Sequence, residues 1–221
     1  MVKIAPSILS ADFGNLQKEI RDLEDAGADL LHLDIMDGHF VPNITFGPMV
    51  VSAIDKMTSL ILDVHLMIDK PENYLERFVQ SGADWITFHW ESTKNHEQLI
   101  SRARGFGVRV GCSLRPRTPF QSVRKIMGDL DLLLLMTVNP GFGGQDFLTE
   151  VLPKISQARK FIQENNLKAL IQVDGGINSE TSRLVQQAGA DILVAGEAIF
   201  RKNNYKEAMD QIRQGKQNRT R

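Results

Sequence analysis

Three stretches of the chain decide the fold: DAGADLLHLDI at 25–35, QSGADWITFHW at 80–90 and QAGADILVAG at 187–196. In each, Gly-Ala-Asp separates a helical pattern from an apolar run. The glycine stands where the end of a helix favours a residue that tolerates left-handed dihedrals. A looser version, RGFGVRVGCSL at 104–114, leads into another apolar run. The chain therefore repeats one helix-to-strand unit, which predicts alternating helices and strands.

Extending this unit along the chain gives eight candidate strands, at 3–9, 30–36, 60–67, 84–90, 108–114, 132–139, 169–174 and 191–196. Several of them are apolar on both faces, as parallel strands covered by helices must be. Strict alternation with eight strands predicts an α/β protein with a (β/α)8 TIM barrel. We expect residues 1–221 to form this single domain, with a frayed tail from about residue 214. An open doubly wound sheet is the alternative, but the strand count favours the barrel.

Helices are predicted from apolar stripes and from prolines. The stripes are Leu16, Ile20, Leu23 and Ala26, and then Leu148, Val151, Ile155, Ala158 and Ile162. Pro71 and Pro153 fit the first turns of helices, where a missing amide hydrogen costs least.

Composition excludes several classes of function. The net charge of −1 argues against nucleic acid or an anionic membrane as the main partner. Only the last seven residues, GKQNRTR, are locally basic. The one cysteine rules out an intramolecular disulfide and fits a reducing compartment. No segment reaches the roughly 20 apolar residues of a membrane span. We therefore expect a cytoplasmic protein.

Four polar residues at the ends of predicted strands indicate a metal site: His32, Asp34, His65 and Asp174. Side chains alternate faces along a strand, so His32 and Asp34 share a face. In a (β/α)8 barrel the carboxyl ends of the strands form the active site, which would bring all four together. Imidazole and carboxylate groups together suit zinc, ferrous iron, manganese or cobalt.

Glycine-rich turns follow the last three predicted strands, and they are Gly141-Phe142-Gly143-Gly144, Gly175-Gly176 and Gly196. Exposed backbone N–H groups in such turns bind anions, and barrels of this class often hold phosphate after strands seven and eight. The pattern predicts a phosphorylated small-molecule ligand.

The chain resembles the ribulose-phosphate 3-epimerases across nearly its whole length. The matching motifs are SILSADF at 7–13, HLDIMDGHFVPNITFGP at 32–48, DVHLMI at 63–68, MTVNPGFGGQDF at 136–147 and VDGGIN at 173–178. The resemblance implies an isomerase of the pentose phosphate pathway that interconverts D-ribulose 5-phosphate and D-xylulose 5-phosphate on a (β/α)8 barrel.

The resemblance also implies roles for individual residues. One divalent metal ion maps onto His32, Asp34, His65 and Asp174, and the two proton carriers map onto Asp34 and Asp174. Substrate contacts map onto Ser7, His65, Gly141, Phe142, Gly143, Gly144, Gly175, Gly176, Gly196 and Glu197. Three methionines near strand ends are open to two interpretations, an apolar cap over the substrate or core packing. They are Met36, Met67 and Met136.

Four further positions depart from the family pattern or have more than one interpretation. Glu197 stands where the family usually has serine, and we expect its carboxylate to point away from the phosphate. Arg115 replaces a common asparagine and reads as a solvated loop charge. Asp63 either orients a metal ligand or fills the barrel interior, and Glu91 is expected to be solvated or to cap a helix.

Two alternative functions stay open. The chain could epimerise a related sugar phosphate, such as allulose 6-phosphate, with the same residues. It could also bind sugar phosphates without catalysis, although binding alone does not require two opposed acids. The sequence leaves the choice of metal and the oligomeric state open, including a homo-oligomer.

Overall fold

The computed structural model describes residues 2–215 and contains one barrel of parallel strands surrounded by helices. Its strands are β1 Lys3–Pro6, β2 Leu30–Met36, β3 Ile61–Met67, β4 Trp85–His89, β5 Arg109–Leu114, β6 Leu132–Met136, β7 Leu170–Asp174 and β8 Ile192–Ala195. Its helices are α1 Leu16–Asp25, α2 Pro48–Asp55, α3 Leu75–Gln80, α4 His96–Gly105, α5 Leu152–Glu164, α6 Thr181–Ala188, α7 Glu197–Phe200 and α8 Tyr205–Gln214.

The sheet closes on itself. Its strand order is β1-β8-β7-β6-β5-β4-β3-β2, with every pairing parallel. A parallel bridge between Ser7 and His32 then joins the two outer strands. The predicted single-domain (β/α)8 barrel is confirmed, and the open doubly wound sheet is excluded. The predicted frayed tail lies outside the described residues, apart from the end of α8 at Gln214 and the following Gly215.

Four aspartates, three of them from the Gly-Ala-Asp repeats, have a structural role. Each stands just before an even-numbered strand and accepts a hydrogen bond from a backbone N–H of the preceding strand. The pairs, with donor nitrogen to Oδ2 distances, are Ile4 to Asp29 at 2.8 Å, Leu62 to Asp84 at 2.8 Å, Val110 to Asp131 at 3.0 Å and Ile171 to Asp191 at 2.7 Å. These aspartates therefore tie neighbouring strands together at their amino ends.

Side chains that point into the barrel form layers. At its amino-terminal end the interior is filled by Ala5, Leu30, Trp85, Leu132, Ile192 and Val194. Because side chains alternate along a strand, residues two and four positions later point into the same interior. His32 and Asp34 follow Leu30 in this way, so the fold places polar side chains above an apolar floor. The outward-pointing faces pack against the helices in one large core.

The structure differs from the sequence prediction at strand ends and in two connections. The strand predicted at 3–9 ends at Pro6 and is followed by a 3-10 turn at Ile8–Ser10, and the strand predicted at 132–139 ends at Met136. Helix α5 begins at Leu152, although the apolar stripe begins at Leu148, because Leu148 instead donates its backbone N–H to the carbonyl of Thr137. The connection between β5 and β6 consists of two 3-10 turns, Phe120–Ser122 and Met127–Asp129, where an α-helix is usual. Within residues 2–215, no helix is both long and apolar enough to cross a membrane.

Candidate active site

The four predicted metal ligands meet at the carboxyl ends of β2, β3 and β7. One ligand atom from each of His32, Asp34, His65 and Asp174 lies within 4.8 Å of the others. His32 Nε2 and His65 Nδ1 are 3.3 Å apart, and each is 3.3 Å from Asp34 Oδ1. The site is therefore built as the strand alternation predicts.

Asp63 orients His32. Its Oδ2 accepts a hydrogen bond from His32 Nδ1 at 2.7 Å and a second from the Gln172 side-chain amide at 2.6 Å. A proton held on Nδ1 leaves the lone pair of Nε2 facing Asp34 and His65. Of the two roles considered for Asp63, the geometry supports the orientation of a ligand, which is the usual arrangement behind metal-binding histidines.

His65 is fully buried, and both of its ring nitrogens face other side chains. Nδ1 faces Asp34 and His32, while Nε2 lies 2.9 Å from Nε2 of His89. No ring nitrogen is left to reach a substrate in the cavity. This geometry favours a metal-binding role for His65 over the substrate contact that the resemblance also implies.

The donor set fits a divalent cation. An imidazole nitrogen lone pair from His32 and a carboxylate oxygen from Asp34 face each other across 3.3 Å, with His65 Nδ1 at the same distance from both. Such a group of electron-rich atoms is stable only when a proton or a cation lies among them. Two imidazoles and two carboxylates suit borderline metals such as zinc, ferrous iron, manganese and cobalt.

The two carboxyl groups of the cluster have different proton affinities. Burial alone would raise the pKa of Asp34, but a protonated His32 beside it outweighs burial and lowers that pKa, and a divalent cation in place of that proton would act in the same direction. Burial raises the pKa of Asp174 to about 7, and the charge of Asp34 acts in the same direction. A pair of acids with separated proton affinities is the pattern expected for proton transfer.

A cavity of about 670 Å³ opens above the cluster. Every predicted site residue except the two histidines lines it: Ser7, Asp34, Met36, Met67, Met136, residues 141–144, Asp174, Gly175, Gly176, Gly196 and Glu197. Ser7 also donates its hydroxyl to Asp34 Oδ2 at 2.6 Å. The aspartates thus face both the cluster and the cavity, whereas the histidines lie behind them.

Two of the glycine turns have no room for a side chain. Gly176 has a φ of +64°, and a Cβ there would lie 2.8 Å from the backbone nitrogen of Phe147. A Cβ at Gly196 would lie 2.4 Å from Ser10 Oγ. Glycine at these positions lets the backbone approach the cavity closely, as an anion-binding turn requires.

Glu197 is paired with a cation that the sequence analysis missed. Its Oε1 accepts a hydrogen bond from Arg201 Nη2 at 2.7 Å, and both side chains line the cavity. The same carboxylate lies beside Gly144, where an added Cβ would be 2.7 Å from Oε1. The carboxylate therefore lies beside the 141–144 turn, with its charge compensated by Arg201. In the sequence, the four-residue spacing between Glu197 and Arg201 was the signal that could have revealed this ion pair.

The three candidate methionines are buried and line the cavity. Met36 and Met67 pack with Val41, Leu9 and Phe40, whereas Met136 packs with Leu134 and Val138. These positions give the cavity two separate apolar surfaces, and they agree with both the cap and the core-packing interpretation.

Arg115 and Glu91 are not the solvated groups that the sequence suggests. Arg115 Nη2 donates to the carbonyl of Phe40 at 2.8 Å, and its guanidinium lies 4.1 Å from the centre of the Phe40 ring. Glu91 accepts from the Arg115 backbone N–H at 3.0 Å and from the hydroxyl of Thr118. Its other oxygen lies 3.3 Å from His89 Nδ1. His89 was overlooked, although it ends β4 on the face that points into the barrel.

Comparison with known proteins agrees with this site. The model of the "Ribulose-phosphate 3 epimerase family" matches residues 3–200. A ribulose-phosphate 3-epimerase of Bacillus subtilis is 50% identical over 217 residues, covering 98% of this chain and 100% of that protein. One from Synechocystis is 46% identical, covering 97% of this chain and 94% of its own length.

A solved structure supports the fold alone. A mutant tryptophan synthase α-subunit from Pyrococcus furiosus superposes with a TM-score of 0.70 at 15% identity, covering 97% of this chain and 100% of the other. The full-length sequence matches, together with the barrel, show that the chain belongs to the ribulose-phosphate 3-epimerase family.

Proposed function

We propose that this chain interconverts D-ribulose 5-phosphate and D-xylulose 5-phosphate by moving a proton at C3, with Asp34 and Asp174 as the two proton carriers. The observation that carries the proposal is the cluster of His32, Asp34, His65 and Asp174, from which only the two carboxylates reach the cavity. Family membership at up to 50% identity supports the same substrate pair.

The reaction requires two acids because the configuration at C3 is inverted. One carboxylate removes the C3 proton, which the adjacent C2 ketone makes acidic, and the other carboxyl delivers a proton to the opposite face. Their roles exchange in the reverse direction. A divalent metal ion bound by the two histidines and two aspartates supplies positive charge that stabilises the negative charge developing beside C3.

Ser7 and Asp63 hold the reacting groups in place. Ser7 fixes one oxygen of Asp34 by a hydrogen bond of 2.6 Å, which leaves Oδ1 directed to the cluster. Asp63 fixes the ring of His32 from behind. An apolar cap of Met36, Met67 and Met136 keeps water from the sugar after its C3 proton has been removed. A water molecule there would compete with the carboxyl groups as a proton donor.

The substrate phosphate is held by backbone N–H groups of three turns, at 141–144, Gly175-Gly176 and Gly196-Glu197. All of these turns line the cavity that contains both aspartates. Binding the phosphate at a distance from C3 orients the reacting carbon between the two carboxyl groups.

A substrate comparison tests this function. We expect kcat/KM for ribulose 5-phosphate to exceed that for allulose 6-phosphate and for unphosphorylated ribulose, each by at least about tenfold, because chain length and the phosphate together set the position of C3. The products are identified by their stereochemistry at C3. A higher kcat/KM with allulose 6-phosphate would identify that sugar phosphate as the native substrate. No turnover of either sugar phosphate would indicate a binding protein without catalysis.

The Glu197 and Arg201 pair gives a second test. Both side chains are more than a third exposed, and such pairs contribute about 0–1 kcal/mol. We expect Glu197→Ser to change KM for ribulose 5-phosphate by less than about threefold, or about 0.7 kcal/mol. Arg201→Gln is the matched variant, because it leaves an uncompensated carboxylate beside the phosphate turn and should raise KM by up to about fivefold. A tenfold fall in KM for Glu197→Ser would show that this carboxylate opposes the substrate.

We also propose a cytoplasmic location, which the single cysteine supports. Metal analysis of purified protein and sedimentation of the full chain identify the bound divalent ion and the oligomeric state.

A further inference from the structure

We propose that His89 and Glu91 are positioning residues that fix which nitrogen of His65 is available for the metal ion. This inference rests on the proposed metal site and concerns groups that lie behind it. His65, His89 and Glu91 form a buried line in which His65 Nε2 and His89 Nε2 are 2.9 Å apart and His89 Nδ1 lies 3.3 Å from Glu91 Oε2.

The direction of the hydrogen bonds along this line follows from the number of protons that the rings carry. Two imidazole nitrogens can approach to 2.9 Å only as one donor and one acceptor, so one proton lies between them. Glu91 accepts hydrogen bonds from Arg115 and Thr118, and as a carboxylate it also accepts from His89 Nδ1. A neutral His89 with its proton on Nδ1 has a bare Nε2, which must accept from His65. His65 therefore keeps its proton on Nε2 and presents the lone pair of Nδ1 to Asp34 and His32.

The ring of His89 is fixed from both sides. Its Nε2 edge meets the Nε2 edge of His65, with ring centres 4.9 Å apart and an interplanar angle of 27°, and the Phe40 ring lies 4.8 Å away on another side. Phe40 is in turn held by Arg115, whose backbone N–H also binds Glu91. The loop that carries Phe40 and the end of β4 thus hold one imidazole in a single orientation.

His32 shows the same arrangement in a shorter form. The ring nitrogen that faces away from the cluster is Nδ1 in His32 and Nε2 in His65. His32 Nδ1 donates directly to Asp63, whereas His65 Nε2 is linked to a carboxylate only through His89. Each histidine of the cluster is therefore backed by an acidic group that sets its proton position. Removal of such a group from behind a metal ligand commonly weakens metal binding by about 10-fold to 100-fold.

The test uses the full-length protein and measures affinity for zinc and cobalt by competition with a chromophoric chelator. His89→Leu fills the space without accepting a hydrogen bond, and we expect it to weaken binding of both ions by about 10-fold to 100-fold. His89→Gln offers one acceptor and one donor, and we expect an affinity within about threefold of the unsubstituted chain. The visible spectrum of the cobalt-loaded protein should change with His89→Leu and be retained with His89→Gln.

Thr87→Val is the matched control. Thr87 lies two residues earlier on β4, on the same face and fully buried, and its hydroxyl has no hydrogen-bond partner among residues 2–215. We expect this change to leave metal affinity within about twofold. If His89→Leu fails to fold, Glu91→Gln replaces it. Loss of the negative charge there should weaken zinc binding by about threefold to tenfold.

The outcomes separate this inference from the proposed function. Unchanged affinity in His89→Leu, or in Glu91→Gln where that variant replaces it, would overturn the positioning role. An equal loss in His89→Gln and His89→Leu would also overturn it, because packing alone would then explain the effect. If the unsubstituted chain bound no divalent metal ion, the proposed function would fail as well.

Discussion

Replacing Asp174 by Asn is expected to lower kcat with ribulose 5-phosphate by at least about a thousandfold, because the amide can neither take up nor deliver a proton. Asp174 is one of the two carboxyl groups that lie in both the histidine–aspartate cluster and the cavity. Asp34→Asn should have an effect of the same size. The measurement is steady-state kinetics in both directions, with the metal content of each variant determined on the same samples.

Asp146→Asn is the control for the Asp174 variant. Asp146 also lines the cavity but does not belong to the cluster, so the substitution removes the same charge from the same space. We expect its kcat to stay within about threefold of the unsubstituted protein. If Asp174→Asn retained near-normal turnover with metal bound, another group would have to be the second acid.

Removal of the metal ion is the second change with a large expected effect. Thorough chelation should abolish epimerase activity, and addition of about one equivalent of zinc, cobalt, manganese or ferrous iron should restore it. The physical reason is that Asp34, His32 and His65 direct electron-rich atoms at one point, with separations of 3.3 Å. The loss of a ligand that binds only the folded state should also lower the midpoint of thermal unfolding.

The controls for chelation are metal analysis of the treated protein and the same treatment of Asp34→Asn. The variant should bind metal more weakly and change less in thermal midpoint when it is chelated. Full activity in protein verified to be free of divalent metal would contradict the proposed role of the cluster.

The sequence was sufficient to predict the cluster because it depends on two regular features. Alternation along a strand places His32 and Asp34 on one face, and the barrel brings the carboxyl ends of its strands together. His65 and Asp174 follow from the same rule applied to β3 and β7. The structure confirms both features, with His32 and Asp63 paired in register on neighbouring strands.

The partners of these residues could not be predicted, because they depend on contacts between distant segments. Arg115 reads as a loop charge, yet it stacks on Phe40, which lies 75 positions earlier in the chain. The line from His65 through His89 to Glu91 depends on the side-chain rotamers of three residues. His65 lies on β3, His89 ends β4, and Glu91 follows β4. Only the position of His89 at the end of β4 was visible in the sequence.

Loops were predicted less well than strands for a related reason. The stretch between β5 and β6 has apolar residues at helical spacing, Phe120, Val123, Met127 and Leu130, yet the structure buries them on two 3-10 turns and their connection. The pairing of the Glu197 charge with Arg201 depends on the direction of α7 and of the turn after it. Helix propensity alone does not predict that direction.

The most direct test of the proposed mechanism is the epimerisation of ribulose 5-phosphate in deuterated water, followed by NMR at C3. Two separate carboxyl groups require that the proton removed and the proton delivered come from different acids, and the delivering acid exchanges with solvent. We expect xylulose 5-phosphate to carry deuterium at C3 from the first turnovers. Xylulose 5-phosphate that retains the original hydrogen at C3 would contradict two separate proton carriers, and absence of xylulose 5-phosphate would contradict the epimerase function.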